Sequence, residues 1–159
     1  MIPFVDLKAQ YRSIKDEIDS AVGRVLENAQ FVLGPEVAAF EEEFAAYCNT
    51  RYAVAVNSGT SALHLALLAA GIGPGDEVIT VSFTFVATVA AIYYAGARPA
   101  YVDIDPRSFT MDPALVEAAI TPKTKAILAV ETFGNSTHMD TLAQIARHVA
   151  CAMRLKGCV

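Results

Sequence analysis

From Tyr52 onward the sequence alternates short apolar runs with helical stretches, and few folds accept that pattern. The runs fall at 52–56, 77–81, 98–102 and 126–130, and the helical stretches at 60–70, 85–95, 112–120 and 139–147. Strands separated by helices read as a parallel sheet with crossovers, because a parallel pair needs a long connection. Punctuation supports the boundaries. Asp112-Pro113 pairs an N-cap with a first-turn proline, and residues 71–76 and Gly96 supply stop signals. The expected class is α/β, a mostly parallel sheet with flanking helices. Ligands of such sheets sit at the carboxyl ends of the strands. Residues 57–61, 82–85 and 103–105 fall there.

Upstream, Tyr11, Ile14, Ile18, Val22, Val25 and Leu26 recur at helical spacing and predict one amphipathic helix over 10–27. Gly34-Pro35-Glu36 opens a second helix, with Val37, Phe40, Phe44 and Tyr47 on one face. The expected organisation is an N-terminal helical segment (1–50), a partial α/β domain (51–147) and an anomalous tail (148–159).

Composition narrows the partners. A hydrophobic content of 54% with 18% charged residues fits elements buried on both faces. A net charge of -5, without any basic cluster interleaved with aromatics, argues against nucleic acid or an anionic membrane surface. No uncharged apolar stretch is long enough to span a bilayer, and the first residues lack the pattern of an export signal. The expected location is cytoplasmic. Cys48, Cys151 and Cys158 lack metal-ligand spacing, and His64, His138 and His148 are scattered, so no metal site is expected.

Asn57-Ser58-Gly59-Thr60-Ser61 joins the first apolar run to the helix beginning at 60. Free N–H groups at a helix N-terminus, with hydroxyls beside them, suit a phosphate. The same turn also reads as an ordinary connection in which Thr60 or Ser61 caps the helix. Phe85 opens the next helix, either as a core residue or as a ring available for stacking.

An ordered set of segments carries a resemblance. It runs through Pro3-Phe4-Val5-Asp6-Leu7, Phe31-Val32-Leu33-Gly34-Pro35-Glu36-Val37 and Phe40-Glu41 with Phe44. Asn57-Ser58-Gly59-Thr60-Ser61-Ala62-Leu63, Gly73-Pro74-Gly75-Asp76-Glu77-Val78 and Thr84-Phe85-Val86-Ala87-Thr88 follow. Val102-Asp103-Ile104-Asp105-Pro106 and Gly134 with Met139-Asp140 complete it. Together these resemble the sugar aminotransferase family often called DegT/DnrJ/EryC1/StrS, of the aspartate aminotransferase fold type I.

The resemblance implies the N-terminal part of that fold's large domain, truncated before its later strands. It implies amino transfer, usually from glutamate, to a keto group on a nucleotide-linked sugar. Pyridoxal 5'-phosphate (PLP) is the implied cofactor and a homodimer the implied assembly. Gly59, Thr60 and Ser61 correspond to the loop that takes the cofactor phosphate, and Phe85 to the ring that stacks on the pyridine. Gly34, Asn57 and Ser58 correspond to the substrate mouth. Asp103 and Asp105 are expected to cap the following segment, Glu131 to be structural, and His138 to cap or be solvated.

The family also has an aspartate for the pyridine nitrogen, in a segment resembling Glu-Asp-Ala-Ala-Gln, and a cofactor-attaching lysine beyond it. Lys8, Lys15, Lys123, Lys125 and Lys156 do not occupy that lysine's context, so no catalytic residue is expected in this chain. Two further readings stand beside the aminotransferase: a sugar dehydratase of the same family, and a non-catalytic fragment or interaction-only subunit. Reading the codons of 152–157 one frame over permits Asp-Ala-Ala-Gln, so an out-of-frame ending is expected, which the gene's nucleotide sequence decides. Residues 52–56 would then lack neighbours from later strands and present unpaired backbone. The isolated chain is expected to be marginally stable, aggregation-prone or rescued by non-native pairing. Thermal unfolding checks this, and a sharp cooperative melt of a soluble monomer contradicts it.

Overall fold

The strand Glu77–Val81 (β1) is the middle of a three-stranded sheet in the computed structural model, which describes residues 4–148. Arg98–Val102 (β2) and Thr124–Ile127 (β3) flank it, both parallel, in the order β2-β1-β3. Val81 is level with Val102 on one side, and Ile79 with Ile127 on the other. Strand alternation then sorts the side chains. Val78, Ala126 and Leu128 enter one apolar cluster, whereas Ile79, Val81, Val102 and Ile127 enter a second. The expected third and fourth strands are therefore present. The last pairs earlier than 126–130, because the Glu77 N–H donates to the Lys123 carbonyl at 2.8 Å. The Leu128 N–H still donates to the Ile79 carbonyl, also at 2.8 Å.

The chain divides into two compact units between Ala55 and Val56. In the first, Leu7–Ser13 (α1) and Lys15–Asn28 (α2) replace the single helix expected over 10–27. The break falls at Ile14. The Ser13 hydroxyl donates to the Gln10 carbonyl at 2.7 Å, a local bond that competes with helix continuation. Asp16 and Glu17 then give α2 an acidic first turn, favourable to a new helix dipole. Pro35–Tyr47 (α3) starts behind Gly34. A Cβ at Gly34 would lie 2.7 Å from the Gln30 carbonyl oxygen, so close backbone approach requires glycine there.

Residues 52–56 form no strand, which corrects the expectation. Their alternation survives: Tyr52 is 72% and Val54 80% exposed, while Ala53 and Ala55 are half-buried. A strand needs a backbone partner, and here side chains take that role. The Ala55 N–H donates to Glu41 Oε1 at 2.7 Å, and the Thr50 hydroxyl donates to the Tyr52 carbonyl at 3.2 Å.

In the second unit, Gly59–Ala69 (α4) and Val86–Tyr94 (α5) pack through Leu63, Leu67, Ala91 and Ile92 over the Val78 face. Pro113–Val116 (α6) and Met139–His148 (α7) contribute Val116, Leu142 and Ala146 to the Ile79 face. The helix expected over 112–120 is shorter and finishes as a 3-10 turn, Glu117–Ala119. Its cap is as expected, with the Asp112 carboxylate accepting the Ala114 N–H at 2.9 Å. Gly96 turns the chain at φ +81, where a Cβ would also sit 3.0 Å from Pro74 Cγ. The tail from 149 onward, with Cys151, Lys156 and Cys158, lies outside the described residues, as does Pro3.

Thr80 is fully buried, and its hydroxyl donates to the Leu128 carbonyl at 2.9 Å, tying β1 to the segment after β3. The isosteric Thr80→Val is expected to lose about 1 kcal/mol, read as a lower urea midpoint at unchanged slope. An unchanged midpoint would show that this bond adds nothing.

A candidate cofactor cavity at the carboxyl end of the sheet

Two helix starts face one cavity. Ser58 caps α4: its hydroxyl accepts the Ser61 N–H at 3.1 Å and donates to the Ser61 hydroxyl at 3.0 Å. The cap is thus Ser58, two residues before the expected Thr60 and three before Ser61. The first intrahelical bond runs from the Ala62 N–H to the Ser58 carbonyl at 3.0 Å. The N–H groups of Gly59 and Thr60 precede it and have no intrahelical acceptor. Phe85 is the N-cap of α5, without a side-chain cap bond, and is 77% exposed. Behind it the Thr84 and Thr88 hydroxyls share a hydrogen bond of 2.8 Å, which pins the first turn of α5.

The cavity has a volume of about 700 Å³. Gly59, Thr60 and Phe85 all line it, so the fold brings together three of the four expected cofactor residues. Ser61 does not line it, and both its N–H and its hydroxyl are engaged by Ser58. Asn57 and Ser58 are exposed but outside the lining, and Gly34 belongs to the other unit. Phe83, Thr88, Thr132 and Phe133 also line the cavity, although none of them is assigned a site role from sequence. Phe83 lies within the strand-end stretch 82–85 and Thr88 within the segment 84–88. Nothing in the local pattern marked Thr132 and Phe133, which arrive from the loop after β3.

None of the lining residues is ionisable. Thr132 Oγ1 is buried there, with no hydrogen-bond partner among the described residues. Glu131, beside it, is structural, accepting the Thr137 N–H at 2.8 Å. Asp105 accepts the Arg107 N–H at 2.7 Å and the Ser108 N–H at 3.3 Å. These bonds, the Arg107 one foremost, hold its carboxyl below the usual value. The turn it caps is therefore fully stabilised above the ordinary carboxylate pKa, and that contribution is lost as pH falls through the depressed one. Among the described residues, no group of three or more His, Cys, Asp or Glu could hold a metal ion, and no helix is long and apolar enough to cross a membrane.

The site is thus a parallel α/β sheet whose carboxyl end gathers two helix N-termini and an exposed ring around a cavity with no ionisable lining residue. The chain belongs to the DegT/DnrJ/EryC1/StrS aminotransferase family, whose sequence profile matches residues 12–153. It is 49% identical over 146 residues to the UDP-2-acetamido-2-deoxy-3-oxo-D-glucuronate aminotransferase of Pseudomonas aeruginosa, covering 92% of this chain and 41% of that protein. It is 51% identical over 148 residues to the dTDP-3-amino-3,4,6-trideoxy-alpha-D-glucose transaminase of Streptomyces venezuelae, covering 92% and 39%. The crystal structure of S. venezuelae DesV in complex with a ketimine intermediate superposes with a TM-score of 0.92 at 48% identity, covering 96% of this chain and 41% of that one. The chain thus spans about 40% of the length of these relatives.

Ser58→Ala removes the cap that organises the cavity's amide wall. It is expected to destabilise the second unit by about 1 kcal/mol, measured as the shift in urea midpoint. A midpoint equal to that of the parent chain would mean that Ser58 does not hold the turn.

Proposed function

We propose that this chain is the cofactor-anchoring segment of a PLP-dependent aminotransferase acting on nucleotide-linked keto sugars, with an amino acid, usually glutamate in the family, as donor. The observation that carries the reading is the convergence, in one neutral cavity, of the unfilled Gly59 and Thr60 amides with the outward Phe85 ring. The residues present fit PLP. A Cβ built on Gly59 meets no heavy atom within 4 Å, so the space beside these amides is open.

In this reading the Gly59 and Thr60 N–H groups, with the Thr60 hydroxyl, hold the phosphate. The α4 dipole supplies the favourable field that a cation would otherwise provide. Ser61, fixed by Ser58, keeps the turn in shape rather than touching the ligand. Phe85 orients the pyridine ring and shields one face from water. When bound, PLP supplies the carbonyl group that takes an amino group from the donor and delivers it to the keto carbon. The described residues around the cavity bind and orient; none of them is titratable, so none moves a proton. We assign cofactor attachment to no lysine of this chain. Gly34, Asn57 and Ser58 are assigned to the sugar side. Exposed apolar side chains along α1 and α2, from Leu7 to Leu26, support pairing with a second copy, and we place the working protein in the cytoplasm.

Gly59→Ala separates binding from folding, because the added methyl finds room in the protein but occupies ligand space. The unfolding midpoint is expected to hold or rise, while PLP affinity, followed by absorbance titration, falls at least about fivefold, roughly 1 kcal/mol. Equal PLP affinity in both proteins would remove the phosphate assignment. Borohydride reduction with peptide mapping is expected to label no single lysine stoichiometrically. One fully labelled lysine would identify an attachment residue and overturn that part of the reading.

A further inference from the structure

The loops that follow β1, β2 and β3 each raise one phenylalanine at the carboxyl end of the sheet. Phe83, Phe109 and Phe133 are mutual neighbours, with ring centroids 6.1, 6.3 and 6.4 Å apart. Phe133 stands steeply to the other two, at 64° and 77°, and is 84% exposed. Phe109 and Phe133 both adopt φ +58, a left-handed backbone that is costly for a bulky side chain. Packing within the described fold does not account for three partly exposed rings, two of them, Phe109 and Phe133, on strained backbone. Phe83 and Phe133 line the same cavity as Gly59, Thr60 and Phe85, and Phe109, outside the lining, packs against both of those rings.

We propose that Phe83, Phe109 and Phe133 are specificity-determining residues that receive the apolar face of a neutral, deoxygenated sugar and disfavour an acidic one. The inference rests on the proposed sugar aminotransferase reading and narrows its substrate class. A hexose that has lost hydroxyls presents C–H groups and a methyl, and burying these against aromatic rings is favourable. A sugar carboxylate meets the opposite environment. The cavity lining has no charged side chain, and the three loops carry Asp103, Asp105, Asp112 and Glu131. Their arginine, Arg107, lies 3.6 Å from the Asp105 carboxylate with its side chain 91% exposed, and His138 stands at the far end of the loop after β3. Moving a carboxylate from water to that wall forfeits solvation without an opposite charge. Both sugar chemistries occur in the names of the two relatives above, a glucuronate and a trideoxy-glucose, so the choice is a real one within the family.

The test is direct binding of matched nucleotide sugars to the 159-residue chain by calorimetry. The probes are dTDP-rhamnose against dTDP-glucose, and UDP-glucuronic acid against UDP-glucose. The deoxy sugar is expected to bind about three- to tenfold tighter than its parent, and the uronate at least about tenfold weaker than its own. Phe109→Asn and Phe133→Asn remove the rings without adding backbone strain, because asparagine tolerates the left-handed region. Together they are expected to bring both ratios close to one. Equal affinities, a tighter uronate, or ratios that persist in the double variant would overturn the proposal. So would variants that abolish self-association while leaving the ratios unchanged, since the rings would then belong to a contact between copies. If PLP binds and no nucleotide sugar does, the sugar assignment falls and this inference with it. If PLP fails as well, the whole aminotransferase reading falls.

Discussion

Burial of β1 on both faces and along both edges is the constraint on which the second unit depends. Val78 and Ile79 are fully buried on opposite sides, so each face of the strand needs its own helical cover. Helices α4 and α5 cover one face, α6 and α7 the other. Parallel pairing with β2 and β3 sends all three strands toward the same end of the sheet. Their following loops are gathered there, and so is the cavity. The site is a consequence of strand direction before it is a consequence of any particular side chain.

The chemistry of that cavity is set by backbone rather than by charge. Among the described residues no lysine or arginine lines the wall. In the proposed reading, free amides at the start of α4 take the phosphate instead, without desolvating a bulky ion. The arrangement relies on Ser58, which satisfies Ser61 and leaves the two preceding amides open. The Thr84–Thr88 hydroxyl pair plays a comparable part for α5, holding the turn from which Phe85 projects. Thr132 departs from this pattern, since its buried hydroxyl has no partner among the described residues. A group left so is costly in a packed interior, and such atoms collect at ligand sites.

The first unit obeys a different balance. Helices α1 and α2 have the amphipathic spacing that normally signals a packed face, yet neither contains a buried residue. Tyr52 and Val54 likewise keep strand alternation while exposed to solvent. These are surfaces patterned for burial that the described residues do not cover, in a chain spanning about 40% of its relatives' length. Ile14 shows how local chemistry prevails under those conditions. Without tertiary packing to enforce one long helix, a serine back-bond and an acidic new start divide it in two.

Much of the second unit was legible in the residues, because its signals are local. Alternating apolar runs gave parallel strands, Asp112-Pro113 gave a helix start, Gly96 gave a left-handed stop, and Gly59 and Thr60 with Phe85 marked the cavity. The family could be recognised for the same reason, as an ordered set of such turns. Tertiary structure alone decided the rest. It decided that 52–56, already expected to lack neighbouring strands, would be held by side chains of Glu41 and Thr50 instead of pairing. It decided that Ser58, not Thr60 or Ser61, caps α4, since neighbouring hydroxyls compete and only geometry chooses among them. It also brought Phe83, Phe109 and Phe133 together from three loops, because nearness across parallel strands is a property of register and not of sequence.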